Sequence, residues 1–497
     1  MVAAAVIETH ISVLFFVGDR VYKMRKPVKT PFLDFSTREL RLADCRREVE
    51  LNRRLAPDVY LGVHDVIDES DAPVEHLVVM RRLPADRRLA TMVTQPGFDE
   101  NHLVGVARRI GAFHARAERS ARIDNAGSDA HLRMLWTTNL EETAAFAGRF
   151  IDGARLARLG AGALAYLDGR GALFGKRVAQ GRIVDGHGDL LAQDIFCMDD
   201  GPRILDCVEF DSRFRWGDVL YDTAFLAMDL EHLGRPDLAR RFLAAYREFS
   251  AETHPESLEH WYVAYRALVR AKIACLRAAI GDPAAPGEAE SFCEQAARHV
   301  DQAAVHLVIV GGLPGTGKTT VAEGLADRVG WALLRSDEVR KDLAGIPHTE
   351  HAYSRPFEGL YTPEATREVY RELLRRAGVA ASMGDSVVLD ASWLDPAERE
   401  QARALAAAMS ARFHELCCVL PVEQAAQRIR ARVAAGSDAS DATAEVLARL
   451  AGRAEVPWAG SRIIDTSTQP AAAVDMALAI VRPDLSAGAA RTKRPAR

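Results

Sequence analysis

The sequence predicts a two-domain chain: an α+β half over residues 1–300, then an α/β half with a parallel sheet over residues 301–485. Three observations carry this prediction. Residues 281–288 read GDPAAPGE, two prolines and two glycines in eight residues, after a long helical run over Glu259–Ile280. One more helix, about 288–302, leads into the apolar strand Val305–Val310 and sets the boundary near residue 300. Beyond it, strands at Trp331–Arg335, Val387–Leu389, Phe413–Leu420 and Arg462–Ile464 alternate with helical patterns at about 363–383, 396–410, 422–434, 441–451 and 470–481. Such alternation means parallel strands covered on both faces, with ligands at their C-terminal ends.

Composition excludes several functions. A chain of 497 residues, 48% apolar and 27% charged, is an ordinary globular sequence with enough apolar surface for large cores. The net charge of −5 disfavours a general nucleic-acid binder, which needs a basic footprint. The seven cysteines (Cys45, Cys197, Cys207, Cys275, Cys293, Cys417, Cys418) form neither C-x-x-C nor a zinc spacing and read as reduced, packed thiols. MVAAAVIETH has no basic n-region, and no apolar run approaches the ~18 residues that span a bilayer. A cytoplasmic protein with no membrane partner is expected. Residues 486–497, carrying Arg491, Lys493, Arg494 and Arg497 among Ala and Gly, are expected to form a disordered basic tail.

The most specific signal is Gly312-Leu313-Pro314-Gly315-Thr316-Gly317-Lys318-Thr319, a complete G-x-x-x-x-G-K-[ST] followed by Thr320. An apolar strand precedes it and an amphipathic helix follows. Glycines turn backbone N–H groups inward to cradle phosphates, and the helix N-terminus adds partial positive charge. Lys318 is expected at the β/γ-phosphates of ATP and the Thr319 hydroxyl on Mg²⁺. Asp390 ends the strand VVLD, where a magnesium carboxylate belongs, and is followed by Ala391 and Ser392 rather than Glu. The missing glutamate favours transfer to a bound acceptor over an ATP-driven machine. Asp337 is expected to close a strand and face the cleft as a proton acceptor, or to cap a helix. Arg428 and Arg432, four apart on one helix face, read as a phosphate clamp beside the lid-like AAGSDASD, or as a solvated basic face.

With GLPGTGKTT, LRSDEVRKDL, VVLDASWL and QRIRARVAAGSDASDA in place, residues 305–465 resemble small P-loop kinases of the gluconate kinase, polynucleotide kinase and zeta-toxin type. These pieces specify the superfamily and are silent on the acceptor.

The first half carries a second phosphotransferase pattern. In VDGHGDLLAQDIF, residues His187, Asp189 and Asp194 fit H-x-D-x-x-x-x-N with Asp in the last place. Seventeen residues beyond Asp189, the apolar RILD ends in Asp206. Asp189 would accept the acceptor's proton, while Asp194 and Asp206 supply oxygens to Mg²⁺ on the nucleotide. Over about residues 10–250 the chain resembles aminoglycoside phosphotransferases: HGDLLAQDIF matches their catalytic loop and ILDC their metal-binding strand. The resemblance implies a bilobal, protein-kinase-like fold in which Lys23, favoured over Lys26, is the nucleotide lysine and Glu48 its ion-pair partner. His187 is expected to brace the loop and His114 to be structural. The whole order, THIS, GDRVYK, FLDFST and LNRRLAP ahead of a P-loop half, resembles the bifunctional aminoglycoside phosphotransferase/ATP-binding proteins.

Three readings compete. The first is a bifunctional kinase with two Mg·ATP sites that phosphorylates small hydroxyl-bearing molecules. In the second, Asp194 in place of Asn marks a regulatory nucleotide-binding half that has lost catalysis. The third, a nucleic-acid 5′-hydroxyl kinase, fits the P-loop resemblance but not the net acidity.

Overall fold

The structure, a computed structural model, describes residues 5–9, 11–30, 33–347, 362–435, 444–452 and 454–485. The tail expected at 486–497 lies outside the described residues. The chain divides into two compact units, Met1–Leu164 with Phe174–Ala303, and Ala165–Leu173 with Ala304–Arg497.

The first unit has the protein-kinase-like arrangement. A five-stranded antiparallel sheet runs in the order Ala5–Glu8, Ser12–Val17, Arg20–Arg25, Pro73–Arg81, Tyr60–Ile67. Side chains alternate along a strand, so Val21, Lys23 and Arg25 share one face. The helix Arg38–Asn52 packs on the sheet through Cys45 and Val49 against Val21, Val78 and Met80. Thr37 caps that helix by accepting from the Leu40 N–H. The rest is mainly helical, including Asn101–Arg116, Val219–His232, Pro236–Ser250, Glu256–Ala279 and Ala285–Ala303. Two antiparallel strand pairs, Ile195–Met198 with Gly201–Ile204 and Ile183–Asp185 with Trp216–Asp218, frame the segment that carries Asp189.

The GDPAAPGE segment is the turn of a helical hairpin inside this unit, whose last helix, Ala285–Ala303, ends at the boundary expected near residue 300. The following helix starts at Ala285, with Pro286 and Gly287 in its first turn, where proline's missing N–H costs nothing.

The second unit is an α/β P-loop fold. Its five strands are all parallel, in the order Ala332–Arg335, Val387–Asp390, His306–Gly311, Arg412–Val419, Arg462–Asp465. Leu307 and Ile309 face one core with Val387, Leu389 and Cys417; Val308 and Val310 face the other with Val388, Leu416 and Cys418. Both faces are buried, which explains why these strands read as continuous apolar runs. The strand ends at Gly311 and Asp390 bring the phosphate loop and the acidic residue to one edge.

Candidate active sites

In the first unit, Lys23 Nζ lies 2.8 Å from Glu48 Oε1 and 3.5 Å from Asp206 Oδ1. Burial alone would depress the ammonium, yet Glu48 and Asp206 hold its pKa above the ordinary lysine range. Lys26, the other candidate, pairs with Glu8 at 2.5 Å and donates to the Thr9 carbonyl. The face shared with Lys23 also carries Arg25, buried and paired with Asp44 at 2.7 Å, with Glu48 at 2.8 Å and with Glu209. Asp44, Glu48 and Glu209 lie close enough to hold a cation, and the guanidinium supplies that positive charge.

The segment from His187 to Asp194 is positioned from the buried helix Val219–His232. Asp222 accepts from the backbone N–H of His187 at 2.5 Å and of Gly188 at 2.8 Å. Seven residues on, and so on the same helix face, Asp229 accepts from the Ala192 N–H at 2.8 Å. A Cβ on Gly186 would sit 2.3 Å from Asp222 Oδ2, so this close approach requires glycine. His187 is buried and pushed down to about 4 chiefly by desolvation, so it is neutral near pH 7. Its Nε2–H donates to the Leu205 carbonyl at 3.1 Å and its Nδ1 accepts from the Asp189 N–H at 3.4 Å. His187 braces the loop. His114 is buried between the Tyr246 hydroxyl and Asp222, a structural position.

Asp189, Asp194 and Asp206 converge. The Leu205 N–H donates to the Asp194 carbonyl at 2.9 Å, tying the two acidic segments together. Asp206 has φ +65°, a left-handed conformation that aspartate tolerates better than most residues. Burial and Asp206 push Asp189 up to about 6, opposed by Arg270 and Arg266. Burial, Asp206 and Asp189 raise Asp194 well above the carboxylate range, whereas Lys23 holds Asp206 below it. Asp194 Oδ2 is buried without a hydrogen-bond partner. Mutually repelling carboxylates with an orphaned oxygen fit a divalent cation.

In the second unit, residues Gly312 to Gly317 form the loop between the strand His306–Gly311 and the helix Lys318–Val329. Gly312 has φ +135° and a Cβ there would meet the Cys418 carbonyl at 2.4 Å, so only glycine fits. Thr316 donates to the Leu313 carbonyl at 2.7 Å, and Lys318 Nζ donates to the same oxygen at 3.0 Å. The Thr319 hydroxyl donates to Asp390 Oδ2 at 2.7 Å, while Thr320 is exposed. Thr319 and Asp390 are thus paired across 71 residues of sequence. Their oxygen donors at a helix N-terminus fit Mg²⁺ with a nucleotide. Burial raises Asp390, against Lys318, Thr319 and Arg335.

Asp337 does not close a strand: the strand ends at Arg335, and Asp337 is the second residue of the helix Ser336–Ala344. It therefore does not cap that helix either, although its charge helps raise Asp390. Arg428 donates to the Thr466 carbonyl at 2.8 Å, and its Nη1 would lie 3.4 Å from a Cβ on Gly317, beside the phosphate loop. Arg432 lies in the helix Val422–Ala435, and its side chain is outside the described residues.

Sequence reasoning missed Arg25, Asp222, Asp229 and Arg335, whose Nε lies 3.6 Å from Asp390 Oδ2. Two acids seven apart in an otherwise apolar VLYDTAFLAMDL were the available signal for Asp222 and Asp229.

The family model AAA_33, described as an AAA domain, matches residues 307–457. The protein is 43% identical over 460 residues to "Uncharacterized protein Rv2004c" of Mycobacterium tuberculosis, covering 93% of this chain and 92% of that one. Among solved structures, it is similar to a choline/ethanolamine kinase family protein from Mesorhizobium loti, with 13% identity, 61% of this chain and 92% of the other covered, and a TM-score of 0.38. A gluconokinase from Sinorhizobium meliloti 1021 is 20% identical, with 38% of this chain and 98% of that one covered, and a TM-score of 0.27. The match over almost the full length of the mycobacterial protein places the chain in that protein's family, with the AAA_33 match lying in the second unit.

Proposed function

We propose that the protein is a bifunctional ATP-dependent phosphotransferase of the cytoplasm, with two Mg·ATP sites that each serve a small hydroxyl-bearing acceptor. The observation that carries this reading is the convergence of acids with a phosphate-binding lysine in both units: Lys23–Glu48 with Asp189, Asp194 and Asp206 in one, Lys318 with Thr319 and Asp390 in the other. Among the described residues no helix is long and apolar enough to cross a membrane.

Bound Mg·ATP supplies an electrophilic γ-phosphorus whose negative charge the metal offsets. In the first unit, Glu48 orients Lys23 toward the phosphates, and Asp194 and Asp206 would hold the metal. Asp189 takes the acceptor's hydroxyl proton as the acceptor oxygen bonds to the γ-phosphorus and the bond to the β-phosphate oxygen breaks. A carboxylate raised to about 6 is mostly ionised at pH 7 and more basic than a free aspartate. In the second unit, Lys318 and the loop N–H groups hold the phosphates, Thr319 and Asp390 would hold the metal, Arg428 flanks the loop, and Asp337 is the nearby carboxylate for the proton.

The test uses the full chain and a panel of sugars, sugar acids, amino sugars, nucleosides and aminoglycosides. Asp189→Asn should lower transfer to one set of acceptors by about 10²–10⁴ with Mg·ATP binding retained. Lys318→Ala should abolish transfer to the other set. Undiminished transfer in the double variant would overturn the assignment. If Asp189→Asn changes no rate while the first unit still binds Mg·ATP, that unit is regulatory, the reading that Asp194 favours.

A further inference from the structure

The site around Asp189 has an acceptor side that no motif describes. The helix Glu256–Ala279 runs beside Val219–His232 and carries Arg266 and Arg270, one turn apart and so on one face. Arg266 is 3% exposed, with its guanidinium carbon 3.3 Å from the Tyr221 ring centroid and 4.3 Å from that of Phe225. Its Nε–H donates to the Tyr221 carbonyl at 2.9 Å, but its Nη2 is buried without a partner. Tyr221 adjoins Asp222, which holds the backbone of His187 and Gly188 immediately before Asp189. Arg270 is half-buried, and its Nε is also buried with no hydrogen-bond partner. The carboxylates of Asp189 and Asp229 feel its charge, but neither forms an ion pair with it.

Two guanidiniums on one helix face, each with a buried donor that lacks a partner, act by their charge on the Asp189 carboxylate. A buried donor without a partner is destabilising, and planar guanidinium forks match carboxylate and phosphate oxygens. An ammonium-bearing acceptor would meet like charge there. We infer that the first unit takes an anionic acceptor, a small hydroxyl-bearing molecule with a carboxylate or phosphate monoester that Arg270 and Arg266 bind while its hydroxyl faces Asp189. This rests on the phosphotransferase reading of that unit and names its substrate class. The two arginines are positioning residues for the acceptor, and the reaction balance is the one given above.

The experiment uses the full chain carrying Lys318→Ala, so that transfer comes from the first unit. Paired probes separate charge from shape: D-glycerate and glycerol 3-phosphate against glycerol, D-gluconate against D-glucitol, and glucosamine as the cation. The anions should be used about 10- to 100-fold more efficiently in kcat/KM than their neutral partners. Arg270→Gln should raise KM for the anions by a similar factor, well beyond any change in KM for the neutral probes, and be partly rescued by Arg270→Lys. Without nucleotide, the preferred anion should raise Tm in the parent chain and not in Arg270→Gln. A carboxylate preference and a phosphate preference both support the inference and tell the two sources apart. Equal or better use of glycerol, D-glucitol or glucosamine overturns it and leaves the phosphotransferase reading standing. Anion binding that needs Arg270, with no transfer to any probe, supports the anion site and counts against the phosphotransferase reading. An absence of anion binding together with an absence of anion preference overturns the inference, as does an anion preference unchanged in Arg270→Gln.

Discussion

Asp222→Asn isolates the charge that positions the segment carrying Asp189 in the first unit. The carboxylate accepts three N–H groups, from His187 at 2.5 Å, Gly188 at 2.8 Å and His114 at 3.1 Å. A hydrogen bond to a charged group contributes about 1.5–3 kcal/mol and one between neutral groups about 0.5–1.5. The amide gives up that charge assistance and turns its own NH₂ toward a donor. Three weakened bonds and one mispaired donor, discounted for non-additivity, come to about 3–5 kcal/mol. Hydrogen exchange over residues 183–195 should report this as local opening faster by roughly 10²–10⁴ at the His187 and Gly188 amides. Transfer by the first unit should fall while KM for ATP stays close to the parent value, because Asp222 touches no substrate. The pH dependence has a definite sign. Burial alone would raise Asp222, but His114 and His187 hold it below the ordinary range. A depressed acid contributes its full stability above the unfolded value, about pH 4, and loses it as the pH falls further. The parent and the variant should therefore differ fully at pH 5–8 and converge only in stronger acid. Unchanged exchange at His187 and Gly188, with transfer within twofold, would refute the reasoning.

Two further predictions test the charges nearby and in the second unit. Asp194→Asn removes one of three repelling carboxylates but keeps an oxygen, so Tm without metal should rise at pH 8. The Mg²⁺ needed for half-maximal nucleotide binding should rise on the order of 10-fold, and an unchanged requirement would exclude Asp194 as a ligand. Glu398, 8% exposed, is raised from 4.5 to about 7 by burial and Asp395, against the Tyr370 hydroxyl. The folded state then binds more protons between those values, so stability falls as pH rises from 4.5 to 7, by about 3 kcal/mol at 1.36 kcal/mol per unit. Glu398→Gln lacks that slope and should be more stable than the parent at pH 8 but not at pH 5, as read by urea denaturation; parallel curves would contradict the assignment.

What was legible follows from how local the physics is. A phosphate cradle is made of consecutive backbone N–H groups, so Gly312 to Thr319 stands in eight adjacent letters. Asp390 was legible because a parallel strand ends where the ligand sits. Lys23 is favoured over Lys26 in the sequence because it follows apolar Val21-Tyr22, and strand parity puts it with Val21 and Arg25 on the face covered by the helix Arg38–Asn52, beside Glu48. That parity also brings Arg25 inward, yet an isolated arginine in a strand reads as solvated until the carboxylates that surround it are located. Asp337 slipped by two residues because the helix begins earlier than its apolar pattern suggests. Prolines and glycines in GDPAAPGE serve a helix start as readily as a linker, and only the packing of Glu256–Ala279 against Ala285–Ala303 decides between them.

The least legible part is the one that sets specificity. Asp222 acts on a loop 35 residues earlier, and Arg266 reaches Tyr221 on the same helix from 45 residues beyond it. Neither spacing is fixed by chemistry, because helices can be joined at many lengths and still present the same side chain to the same place. In the proposed function the nucleotide side of each site must recognise one invariant triphosphate and so is written as motif. The acceptor side need only present the right charge and shape, and a pair of arginines on a buried helix meets that need without any sequence signature. Charge at the acceptor side is therefore the property by which members of this family with the same motifs should differ in substrate, and Arg270 is the position at which that difference is most directly measured.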